Sequence, residues 1–198
     1  FSEEISKVGI VEQNAPRDYY IVKKKIEITD EETGSSLIIL PDDNFSVNVL
    51  ISFDSPVLDN QFATMSNIRE FPEEIAGART FVFVREIEGL LEKNLIRGGD
   101  LDNAIVIYDK EIPQESLNKL SDMMGAPRLN NLTLGYVNKL DFPNEPARHK
   151  LIDVIGDIAL IGKPIKGRII ATRPGHKINN QLARCIRKDI KMNSVQAP

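Results

Sequence analysis

One stretch restricts the fold more than any other. Phe45, Val47, Val49, Ile51 and Phe53 alternate with Ser46, Asn48, Leu50 and Ser52. Successive side chains of a strand point to opposite faces, so strict period two predicts a strand with one buried face. A lone strand is not stable, and candidate partners surround this one. YYIVKKKIEIT (19–29) reads as a strand, TDEETGS as a polar turn, SSLIILP as a short strand and 61–67 as a fourth. The first third therefore reads as an antiparallel sheet. Lys23–Lys25 read as a solvated strand edge that discourages edge pairing.

Helical patterns follow. Pro72 fits the first turn of a helix running to about Ala78. Val84, Ile87, Leu90 and Leu91 keep helical spacing and predict a helix over 85–93. RGGDLDN is a turn cluster and AIVIY (104–108) a short apolar strand; helix, turn and strand read as a compact unit inserted on the main sheet. Residues 110–143 are polar and rich in Pro and Asn, and read as a surface excursion around an amphipathic piece at 115–124. A helix over 145–162 is stopped by Gly162 and Pro164. The strand IKGRIIAT, a loop RPGH and a helix through Lys191 close the pattern. Strands first and helices after predict the α+β class: a two-layer sandwich, mainly antiparallel sheet, with helices on one face.

Residues 1–17 read as a remnant helix (Phe1, Ile5 and Val8, ended by Gly9) and a linker from an upstream domain. Residues 18–191 read as the domain itself and 192–198 as a linker onward. A start at Phe1 rather than Met reads as a piece of something longer. The chain of 198 residues is 41% hydrophobic and 27% charged, and its net charge of −4 argues against a nucleic-acid partner. Cys185 is the single cysteine, so no internal disulfide forms. No signal peptide and no membrane-spanning apolar run is visible, which points to a reducing, cytoplasmic setting.

The chemistry gathers on EPARHKLIDVIGDIALIG (145–162). Read as a helix, it places His149, Asp153 and Asp157 at i, i+4 and i+8, one above another. A metal ion would partner such groups, with imidazole nitrogen and carboxylate oxygen roughly 2.0–2.2 Å from zinc. A solvated edge or a satisfied hydrogen-bond cluster fits the same residues, and HxxxD is a weaker pattern than HExxH. Gly156 inside this helix costs about 1 kcal/mol relative to Ala, which predicts close packing there. His176, in the loop of ATRPGHKINN, is the other histidine of the chain. Paired with Asp157 it would have a fixed tautomer and serve proton transfer; a surface histidine in a turn is the simpler reading. In GARTFVFVREIEGL (77–90), the Thr80 hydroxyl could donate to an oxyanion, while core packing alone explains the Phe81–Phe83 pattern. RGGDLDNA lacks both phosphate-loop spacings and is not read as one.

Taken together and in this order, GARTFVFVREIEGL, GGDLDNAIV, EPARHKLIDVIGDIALIG and GHKINN resemble the second half of the UDP-3-O-acyl-N-acetylglucosamine deacetylase family. These are bacterial zinc enzymes of lipid A synthesis, and the resemblance covers roughly Tyr19 to Lys191. The motifs look like the form fused to a 3-hydroxyacyl-carrier-protein dehydratase. The resemblance implies His149 and Asp153 as zinc ligands. It implies Lys150 at the substrate head group, Asp157 and His176 as a carboxylate–imidazole pair, and Thr80 as oxyanion donor. It implies a βαβ insert over about 82–109; Phe81, Phe83, Ile87, Ile96, Gly99, Leu101, Ala104 and Val106 fall in that insert and the segment leading to it, and several of them would serve a passage for the acyl chain. The family's third zinc ligand and its general-base glutamate come from a first domain that this sequence lacks. The expectation is thus a half-site, inactive alone. The rival expectation is a non-catalytic α+β binding or scaffold domain. The two differ in whether His149, Asp153, Asp157 and His176 converge.

Overall fold

The computed structural model describes residues 2–92, 103–124 and 127–195. In chain order the elements are α1 (Ser2–Val8), β1 (Tyr20–Ile21), β2 (Ile26–Asp30), β3 (Ser35–Leu40), β4 (Phe45–Ser52) and β5 (Asn60–Met65). They continue with β6 (Thr80–Phe83), α2 (Val84–Glu92), β7 (Ala104–Tyr108), α3 (Gln114–Met124) and β8 (Gly135–Tyr136). The last are α4 (Glu145–Ala159), β9 (Ile165–Thr172) and α5 (His176–Val195). The class is α+β. The chain divides into two compact units, 1–51 with 62–77 and 147–198, and 52–61 with 78–146.

The first unit holds a sheet in the order β2-β3-β9-β4-β5, with β1 paired to β9. β2 and β3 pair antiparallel, as do β3 and β9, while β1 and β4 run parallel to β9. The late strand β9 thus lies between β3 and β4, which pair with it rather than with each other. Period two holds along these strands: Leu37 and Ile39, Val47, Val49 and Ile51, and Ile169 and Ala171 are buried. α5 packs on β2 and β3. It buries Ile178, Leu182 and Ile186, four residues apart. α4 buries Ala147, Leu151, Val154 and Ile158, one apolar stripe at helical spacing.

Gly167 marks the tightest backbone approach. A Cβ there would lie 2.6 Å from Val22 Cγ2 and 3.1 Å from the Leu40 carbonyl oxygen. Val22 is stiff and fully packed, so only glycine lets it sit over β9.

Segment 19–29, expected as one strand, is two. β1 pairs with β9 and β2 with β3, and Lys23–Lys25 form the exposed connection between them rather than a strand edge. Three consecutive ammonium groups stay in water where the chain crosses over. The expected helix at 72–78 is a 3₁₀ turn (Ile68–Glu70) running into a single π turn (Phe71–Ile75). Asn67 caps the first of these, accepting from the Arg69 N–H at 2.9 Å.

In the second unit β6 and β7 pair parallel through α2, and β8 adds antiparallel to β7. Val84, Ile87, Val106, Tyr108, Leu117 and Leu120 form its buried cluster. Leu117 and Leu120 lie on α3, so part of the stretch read as a surface excursion closes a core. Their three-residue spacing was visible; what they cover was not.

Candidate functional site

α4 carries three polar side chains beside its apolar stripe. His149 Nε2 lies 3.6 Å from Asp153 Oδ1, and both side chains are mostly buried. Two donors each about 2.1 Å from one ion at a tetrahedral angle sit roughly 3.4 Å apart, so this pair has the separation of two ligands of a single zinc. Asp153 Oδ2 accepts from Lys150 Nζ at 2.9 Å, and a cation on Asp153 would compete with that ammonium. Among the described residues no group of three His, Cys, Asp or Glu is placed to hold a metal ion. The local donors therefore fit part of a zinc site.

One turn further along, Asp157 Oδ2 lies 2.8 Å from His176 Nδ1. A carboxylate only accepts, so Nδ1 carries the hydrogen and Nε2 is left for other work. His176 is the first residue of α5 rather than a loop residue, and its side chain is 69% exposed while that of Asp157 is 14% exposed. The same Asp157 oxygen accepts from Asn179 Nδ2 at 2.9 Å. Asn179 is 0% exposed, and its Oδ1 finds no partner among the described residues. A charge-assisted hydrogen bond contributes about 1.5–3 kcal/mol, and an orphaned buried acceptor costs about 1–3 kcal/mol. The net gain in stability from this amide is therefore close to nothing. Asn179 was missed as a working residue although GHKINN was singled out. The only signal available was its i+3 spacing from His176.

Gly156 does not have the close packing expected of it: a Cβ there meets nothing within 4 Å. The glycine lies on the exposed side of α4, between the two polar pairs.

The remaining candidates belong to the second unit. Thr80 opens β6 and is exposed. Phe81 packs edge-to-face on both Phe53 and Phe83, which are tilted to one another, with ring centroids 5.5–6.2 Å apart. Arg85 stacks over Phe83 at 4.3 Å and pairs with buried Asp109. Ile87 and Val106 are members of the buried cluster, and Ala104 is half-buried at the start of β7. Ile96, Gly99 and Leu101 lie outside the described residues.

Arg79, the residue before Thr80, holds Glu145. Its backbone N–H, Nε and Nη2 donate to that carboxylate at 3.0, 2.8 and 3.1 Å, and the Asp141 N–H adds a fourth bond at 2.7 Å. Burial pushes the Glu145 carboxyl up, but these donors outweigh it and hold it at about 2. Burial, with the bond to Asp189 at 2.8 Å, raises the Tyr20 phenol.

The family profile of UDP-3-O-acyl N-acetylglycosamine deacetylase (LpxC) matches residues 1–124 and 130–188. The chain belongs to this family. This deacetylase-family chain is 61% identical to the bifunctional enzyme LpxC/FabZ of Bacteroides thetaiotaomicron and 62% identical to that of Porphyromonas gingivalis. Both matches take in 100% of this chain and 43% of the relative. It is 34% identical to the UDP-3-O-acyl-N-acetylglucosamine deacetylase of Myxococcus xanthus, over 96% of this chain and 53% of that protein. The chain thus spans about half or less of these relatives. No helix among the described residues is long and apolar enough to cross a membrane.

Proposed function

We propose that this chain supplies two metal ligands and the proton-donating side of a zinc-dependent amide hydrolase. The substrate would be UDP-3-O-acyl-N-acetylglucosamine, losing acetate in lipid A synthesis in the cytoplasm. One observation carries the reading: α4 presents a His–Asp pair at metal spacing and, one turn on, a carboxylate bonded to a second imidazole. A scaffold has no use for that convergence. Membership of the deacetylase family supports the same reading.

Zinc, when bound by His149 and Asp153, supplies polarisation of the acetyl carbonyl and a more acidic water. As an imidazolium held through Nδ1–H by Asp157, His176 would donate from Nε2–H to the oxygen as charge develops, or give that proton to the leaving amine. Thr80 keeps the role of hydroxyl donor to the oxyanion, and Lys150 that of contact to the sugar–nucleotide head group. Phe81, Phe83, Ile87, Ile96, Gly99, Leu101, Ala104 and Val106 are assigned to the acyl chain, whose burial contributes binding energy remote from the reaction. Ile87 and Val106 can serve only if the packed cluster opens. The third ligand and the general-base glutamate come, in this reading, from an N-terminal domain of the same polypeptide. Two protein ligands fall short of the three that a catalytic zinc site uses, so the chain alone binds zinc weakly and is inactive.

Zinc content and acetate release test this. The chain alone is expected to release no acetate. Joined to its upstream half it should hold one equivalent of zinc and turn over, and His149→Ala or Asp153→Ala should lose the metal. A joined protein that neither binds zinc nor releases acetate overturns the reading.

A further inference from the structure

We propose that Asn179 is a positioning residue for His176, acting through Asp157. The inference rests on the proton-donor role proposed for His176, but its geometry stands apart from any metal. Asn179 follows His176 by three residues in the first turn of α5, and its N–H bonds the Gly175 carbonyl at 3.0 Å. That turn brings the amide beneath the imidazole. Asp157 only accepts, so the Asn179 NH₂ must be the end that faces it. Imidazole Nδ1 and amide Nδ2 converge on one oxygen, Oδ2, at 2.8 and 2.9 Å.

This shared oxygen defines what the asparagine does. A carboxylate can turn about its last torsion, and a largely exposed imidazole can turn with it. The Asn179 side-chain NH₂, fixed in the core, fixes the Asp157 carboxylate plane. That in turn keeps Nδ1 as the protonated nitrogen and points Nε2 outward. The burial of Asn179 agrees with this: a leucine fills similar space with no polar group to satisfy, and the amide is the group that reaches Asp157. Asn180, next along, is spent otherwise, donating to the His176 carbonyl at 2.7 Å.

The tautomer of His176 reads the proposal directly. The chain has two histidines, so long-range ¹H–¹⁵N correlation of the ring nitrogens resolves both. At a pH where His176 is neutral, the native protein should show the Nδ1-protonated form, and Asn179→Leu should lose it in favour of the Nε2-protonated form that free imidazole prefers. Asn179→Ala serves if the leucine does not fold, with the same expected loss. Leu182→Ala, a buried truncation on the same helix, should weaken the fold and leave the tautomer in place. An unchanged tautomer in either Asn179 variant overturns the proposal, and so does an equal change in Leu182→Ala. None of these readouts needs zinc or substrate, so a failed deacetylase reading and a failed positioning role are told apart.

Discussion

Two carboxylates of α4 show how one helix can serve opposite purposes. Glu145, its first residue, takes four hydrogen bonds, three from Arg79 and one from Asp141, and is 0% exposed. Its accepting capacity is used up. Asp157, three turns on, takes two donors on a single oxygen, and one of those is a largely exposed imidazole. A saturated, buried carboxylate contributes to stability; one left with an exposed, proton-carrying partner can contribute to chemistry. The geometry separates the two where the residue types do not.

The largest expected effect would break the contrast at its structural end. Glu145→Ala takes from a mostly buried guanidinium its principal carboxylate, and loss of one partner of such a pair costs about 3–5 kcal/mol. Asp157→Asn keeps an oxygen that can accept and weakens only charge-assisted bonds, so it should cost less, about 1.5–3 kcal/mol. Urea denaturation of both variants reads the difference, and equal losses would erase the distinction.

Acid sharpens it. The Glu145 carboxyl lies at about 2 in the fold against an ordinary 4.5. The folded value is depressed, so its contribution is fully present above about pH 4.5 and is lost as pH falls through about 2. The shift corresponds to roughly 3 kcal/mol, and Glu145→Gln should flatten the acid limb of a stability–pH curve by about that much. An unchanged limb would mean that other carboxylates set it.

The smallest effect concerns Gly156, beside Asp157. With open space where a Cβ would sit, Gly156→Ala should raise stability by about 1 kcal/mol, read as a higher melting temperature. A loss instead would show that something packs against this face.

Much of the fold was legible. Period two named the buried face of β4, and a helix was read where α4 lies. The i, i+4 rule alone put His149 beside Asp153, because both partners sit on one helix. The rest was not legible for one physical reason. A pattern of apolar residues says which side of an element avoids water, but not which element covers it. The sheet of the first third needed β9, from far along the chain, between β3 and β4. Lys23–Lys25 read as strand because the apolar residues around them did. The empty side of Gly156 reversed an inference from helix cost.

From the sequence alone came the α+β class, the polar row on α4, and a resemblance strong enough to name a family. Local periodicity and residue chemistry suffice for those. Only the tertiary structure decided that His176 meets Asp157 across 19 residues, that Asn179 shares the same oxygen, and that Arg79 closes on Glu145 across 66. Hydrogen bonds need donor and acceptor within about 3 Å and in line, and no spacing along a chain guarantees that between separate elements.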